Sequence, residues 1–124
     1  MSDTPNKYRL EDRTLQFSVR VIKHCMRIKQ PRLQSITNQL IRSATSVGAN
    51  YAEANNASSK TDFRAKIFIA KKEAAETKYW LKILIELGDK SEEIMYLQEE
   101  TQGILMTLQK IISTLKAKSE NGER

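Results

Sequence analysis

Cysteine and histidine each occur once in the 124-residue chain. One cysteine cannot build an internal disulfide framework, and it suits a reducing compartment. One histidine cannot supply a multi-histidine metal site. Glycine (four) and proline (two) are scarce. A β-sandwich or barrel needs turn residues every ten or so positions, so that class is disfavoured. No apolar run approaches the length of a membrane span. Residues Met1–Lys7 are polar and lead into no apolar targeting stretch, so a cytoplasmic location and no membrane contact are expected. A chain of this length makes one domain and can bury about two-thirds of its unfolded surface.

What is present is charge, unevenly placed. Residues 1–42 hold nine Lys/Arg against three Asp/Glu, residues 43–90 eight against six, and residues 91–124 four against six. The formal excess of +6 is therefore concentrated in the first third. Such asymmetry points to a polyanionic partner or to attraction between copies.

Apolar spacing predicts four helices and an all-α, antiparallel up-down-up-down four-helix bundle over residues 11–118. A flexible segment, 1–10, precedes it and a frayed tail, 119–124, follows. The first helix, from about Glu11 to Lys29, presents Leu15, Val19, Ile22 and Met26 as its expected core face. Gln30-Pro31 ends it. The second runs from about Arg32 to Asn55, with Leu33, Ile36, Leu40, Ala44, Val47, Tyr51 and Ala54 inward. Ser59 and Asp62 form a capping-box-like start for the third, Lys60 to Leu87. Its stripe is Phe63, Ile67, Ala70, Ala74, Thr77, Leu81 and Leu84, and Gly88 stops it. Ser91 caps the fourth, where Ile94, Leu97, Thr101, Ile104, Leu108, Ile111 and Leu115 repeat in heptads.

Two helices carry a second apolar row: Phe17, Val21 and Ile28 on the first, and Ile69, Trp80, Ile83 and Leu87 on the third. Rows that include Phe and Trp either mark a subunit interface or widen the core. On the second helix Gln39, Arg42, Ser46, Asn50 and Glu53 fall within roughly 80° of one another, a polar stripe flanked by Thr45, Gly48, Ala49 and Ala52. Arg42 and Glu53 are too far apart to pair on one helix, so each reaches a neighbouring helix or subunit, or the stripe is simply solvated.

Arg13, Arg20 and Arg27 recur at heptad spacing with Lys23 beside them, and Arg64, Lys71, Lys78 and Lys82 make a second basic row. Rows of this kind can track phosphates, although solvated helix faces look similar. No aromatic residue interleaves them as a base-stacking platform would require. Contacts are therefore expected to the nucleic-acid backbone, with little reading of sequence.

Enzyme chemistry finds no support. His24 and Cys25 are adjacent and point about 100° apart on a helix, a poor base–nucleophile pair. Glu73 and Glu76 lack the Glu-x-x-His partners of a carboxylate-bridged metal site. No phosphate-binding loop or zinc motif occurs. No catalytic residue, metal or cofactor is assigned.

Two stretches carry a resemblance. One is residues 39–54, with Arg42, Ser46, Asn50 and Glu53. The other holds Asp62-Phe63 and then Glu73, Glu76, Tyr79 and Trp80. Together they resemble the bacterial four-helix-bundle family encoded in intervening sequences of 23S rRNA genes, over the last three helices specifically and the first generically. Many members have Gly where this chain has Ala54. The resemblance implies a homopentameric ring without known catalysis. It also implies kinship with accessory proteins of diversity-generating retroelements, which are basic, bind nucleic acid and work with a reverse transcriptase. The candidate phosphate contacts are Arg13, Arg20, Lys23, Arg27, Arg64, Lys71, Lys78 and Lys82. The candidate subunit-interface or inter-helix residues are Phe17, Val21, Ile28, Arg42, Ser46, Asn50, Glu53, Ile69, Glu73, Glu76, Trp80, Ile83 and Leu87. The candidate partners are further copies of the chain, RNA in preference to DNA, and a reverse transcriptase. A protein-interaction scaffold is the alternative.

Overall fold

The computed structural model describes residues 6–120, with side chains from Arg9 onward. Four helices follow in order: α1 (Asn6–Met26), α2 (Gln34–Asn55), α3 (Lys60–Glu86) and α4 (Glu92–Glu120), with a 3-10 turn at Pro31–Leu33. Each helix packs on its chain neighbours, and α1 closes the bundle against α4. Short connections make successive helices antiparallel, so this is the up-down-up-down four-helix bundle.

Local chemistry sets the boundaries. Gln30 adopts an extended conformation ahead of Pro31, which opens the 3-10 turn. That turn takes the first residues expected of α2, which begins at Gln34. The Ser59 hydroxyl accepts the Asp62 N–H at 3.0 Å and starts α3. Gly88, at φ +113°, ends it in the left-handed region that a side chain disfavours. Ser91 Oγ accepts the Ile94 N–H at 3.2 Å and starts α4. The segment expected to be flexible, 1–10, is helical from Asn6. Its first five residues, and 121–124 of the expected tail, lie outside the described residues.

The core joins Leu40, Val47, Ile67, Leu81, Ile94, Leu97, Ile104 and Leu108, each almost fully buried. On α2 the expected stripe is buried from Leu40 to Ala54, joined by Thr37 and Ser43, and on α3 from Ile67 to Leu84; Leu33, in the 3-10 turn, and Ile36 and Phe63 are half-buried. On α4 the heptad seam holds to Leu108 and then shifts one position, burying Ile112 and leaving Ile111 and Leu115 half-buried. A straight helix of 3.6 residues per turn drifts off a strict 3.5 repeat, and the last turns show that drift.

On α1 the expected face is wrong. Phe17, Val21 and Cys25 face the core with Leu10, while Leu15, Val19 and Met26 are exposed and Ile22 is half-buried. Thr14 and Ser18 complete the true inner face. Their hydroxyls donate within α1, Thr14 to the Leu10 and Glu11 carbonyls and Ser18 to the Thr14 carbonyl. A hydroxyl satisfied by its own helix can be buried at small cost, so this face is wider than its apolar residues suggest. Phe17 and Val21 therefore leave the list of interface candidates, and Ile28 is half-buried against the same core.

Candidate nucleic-acid interface

The two flanks of α4 differ in chemistry, and the difference sorts the cations of the bundle. On the α1 flank, Arg13 makes a two-pronged pair with Glu100, at 2.7 Å from Nε and 3.1 Å from Nη2. Arg20 does the same with Glu93, at 2.9 and 2.8 Å. Such fork-to-fork pairs have fixed geometry as well as charge. The Arg20 guanidinium also stacks 3.7 Å from the centre of the Tyr96 ring. Its hydrogen bonds hold the Glu93 carboxyl below the usual carboxylate range. Two of the three heptad arginines are thus neutralised inside the chain. Arg27 and Lys23 are exposed and make no ion pair among the described residues.

The α3 flank of α4 carries amides where the other carries acids. Lys78 Nζ donates to Gln102 Oε1 at 2.8 Å. In two antiparallel helices that pair fixes the register, which sets Lys82 level with Gln98 and Lys71 level with Gln109. Arg64 lies beyond them, beside Ile112 and Lys116. None of Arg64, Lys71, Lys78 and Lys82 has a carboxylate partner among the described residues. The row spans about 27 Å at the rise of an α-helix. The Gln98 Oε1 atom beside it is buried and accepts no hydrogen bond among the described residues.

The polar stripe of α2 is tied to α3 of the same chain. Arg42 donates to Glu73 Oε1 at 3.1 Å, to Glu76, and to Gln39 Oε1 at 3.0 Å. The Trp80 indole N–H donates to Glu76 Oε2 at 2.9 Å. Bonds from Trp80 and Arg42 keep the Glu76 carboxyl below its usual range. Lys66 Nζ lies 2.8 Å from Glu53 Oε1. Asn50 donates back to the Ser46 carbonyl and hydroxyl at 2.9 and 3.0 Å. Of the other interface candidates, Ile69, Trp80 and Ile83 are half-buried and Leu87 is 59% exposed.

Two contacts escaped the sequence reading. The buried Thr77 hydroxyl donates to the Ser43 hydroxyl at 2.9 Å, bridging α3 to α2. His24, on α1, lies 2.7 Å from Asp89 in the α3–α4 link. Burial pushes the Asp89 carboxyl up, but hydrogen bonds from Ser91 and His24 outweigh it and hold the pKa below the usual range. Neither contact has a local signature, because the partners are 34 and 65 residues apart in sequence.

The neighbouring Cys25 is buried, and burial pushes its thiol up to about 11. A thiol so protonated is a weak nucleophile at neutral pH. Among the described residues no group of three His, Cys, Asp or Glu side chains could hold a metal ion, and no helix is long and apolar enough to cross a membrane.

No curated protein matches the chain. Among solved structures, a protein of unknown function from Bacteroides thetaiotaomicron, assigned to the S23 ribosomal protein family, is similar. It shares 33% identity, with a TM-score of 0.74, over 83% of this chain and 97% of that one. The model of the 23S rRNA-intervening sequence proteins matches residues 6–113. That match takes in α1, α2, α3 and most of α4, and so the chain belongs to the 23S rRNA-intervening sequence protein family.

Proposed function

We propose that this is a non-enzymatic, homo-oligomeric protein of the cytoplasm that binds nucleic acid, RNA in preference to DNA, through the α3 flank of α4. One observation carries the reading: Lys78 bonds to the Gln102 amide, and none of Arg64, Lys71, Lys78 and Lys82 has a carboxylate partner among the described residues, where Arg13 and Arg20 on the other flank are paired with glutamates. Cations without carboxylate partners remain available to phosphates, and their charge is not cancelled at short range. Arg13 and Arg20, engaged with Glu100 and Glu93, drop out of the binding set, while Lys23 and Arg27 stay in it as exposed cations.

The resemblance of the α2–α3 motif implies five copies in a ring. A ring repeats each Lys row and multiplies the attraction for one strand. The exposed apolar residues of α1 and α3 supply contact surface for assembly.

A mobility-shift titration with a single-stranded RNA oligonucleotide at two salt concentrations tests this. Binding should be present at low salt and weaken steeply as salt rises. Absence of binding at low salt, or indifference to salt, refutes it. A protein partner that co-purifies and survives nuclease treatment would instead support a scaffold for an acidic partner, such as a reverse transcriptase.

A further inference from the structure

The misassigned face of α1 is an exposed ridge above a groove. Leu15, Val19 and Met26 are 57%, 37% and 66% exposed. Leu15 and Val19 line a groove of about 670 Å³ whose α2 wall is Thr45, Gly48, Ala49 and Ala52, and Met26 follows one turn after Ile22, the last α1 residue of its lining. Small side chains there leave room for another helix to approach closely. On another side of the bundle α3, with Leu87 just past its end, raises a ridge in which Phe68, Tyr79 and Leu87 are 48%, 60% and 59% exposed.

We infer that the groove between α1 and α2 receives the α3 ridge of a second copy of this chain, the two helices running parallel. The inference rests on the oligomer proposed above and assigns its two surfaces. Groove and ridge are unlike patches. A two-fold contact would use one patch twice, whereas unlike patches join head to tail, an arrangement that can close into a ring.

Charge selects the direction. Along α1 the exposed edge runs from Asp12 to Lys23, and along the outer face of α3 it runs from Lys72 to Glu86. Asp12, Lys23, Lys72 and Glu86 have no ion-pair partner among the described residues. A parallel alignment that sets Asp12 against the second copy's Lys72 also brings Val19 to its Tyr79, sets Met26 level with its Glu86 and one residue short of its Leu87, and leaves Lys23 within a turn of its Glu86. An antiparallel alignment puts Asp12 beside Glu86 and Lys23 beside Lys72, like against like.

The test is a mixing experiment with two variants, Val19→Lys for the groove and Tyr79→Lys for the ridge. Both side chains are exposed in the single chain, so both variants should keep its helical circular dichroism. By light scattering each variant alone should fall to the 14.3 kDa of one chain. Mixed in equal amounts, they should form a species of twice that mass, because one intact ridge meets one intact groove and the chain of contacts stops there. The recovered pair also shows that both variants are folded. Either variant keeping the wild-type mass, or a mixture that stays at single-chain mass, overturns the assignment while a larger wild-type mass leaves the oligomer standing. A wild-type protein that is itself a single chain at micromolar concentration overturns both.

Discussion

Arg13 reaches Glu100 by lying flat across Gly103: a methyl group added at Gly103 would sit 2.5 Å from the Arg13 Nη2 atom. The glycine is what allows the guanidinium to rest on the α4 backbone and close its pair with Glu100. Gly103→Ala should gain roughly 1 kcal/mol of helix propensity but push Arg13 away. The pair it breaks is partly exposed and contributes about 0–1 kcal/mol. In wild type the two effects should nearly cancel. In an Arg13→Ala background the gain should appear in full. Urea unfolding of the four proteins measures the coupling, and strict additivity would show that Gly103 does not serve Arg13.

Gly48 lets α1 pack closely on α2. A Cβ there would lie 3.0 Å from Thr14 Oγ1 and 3.1 Å from its Cβ. Thr14 cannot easily give way, being buried with its hydroxyl tied to two carbonyls. Gly48→Ala should therefore destabilise by about 1 kcal/mol net, an overpacking cost of roughly 1–3 kcal/mol partly offset by helix propensity. Thermal unfolding should show a drop of several degrees; an unchanged or raised midpoint would contradict the close packing.

Acid should loosen the contact between α1 and the α3–α4 link. The Asp89 pKa is depressed in the folded protein, so its contribution to stability is present above the unfolded value of about 4 and is lost as pH falls through the folded value. Replacing Asp89 by Asn removes that titration. Between pH 5 and pH 2 the variant should lose less stability than wild type, measured as the shift in urea midpoint. Parallel pH profiles would show that Asp89 does not contribute.

Nucleic-acid affinity should depend on the amide-faced lysines and little on the glutamate-paired arginines. Changing Lys71, Lys78 and Lys82 together to Gln should flatten the plot of log affinity against log salt by about 2, the expectation for three phosphate contacts on a single strand. Arg13→Gln with Arg20→Gln should change the slope by less than one contact. A reversal of this order in filter-binding titrations would move the interface to the other flank.

Most of the fold was legible in the sequence, for reasons that particular residues make plain. Ser59, Gly88 and Ser91 punctuate α3 and α4 through backbone chemistry that acts within a few residues. The stripes of α2 and α3 are apolar enough to outweigh their alternatives. On α1 the 4-3-4 spacing of Leu15, Val19, Ile22 and Met26 points to the wrong face, because Thr14 and Ser18 do not look like interior residues until their hydroxyls are seen bonded to their own helix. The candidate site was legible as a set of cations but not as a surface. Heptad spacing placed Arg13 and Arg20 in one row, and nothing local says that Glu100 and Glu93, 87 and 73 residues away, would neutralise them. The Lys78–Gln102 bond is equally distant in kind, a product of how α3 and α4 come together.

With glutamates along one side of α4 and glutamines along the other, the net charge of +6 acquires a direction. The molecule carries a permanent electrical asymmetry across its width. On the proposed function, a polyanion entering its field would turn it so that the lysine edge leads. Orientation would then begin before any contact is made, and would weaken as added salt shortens the reach of that field.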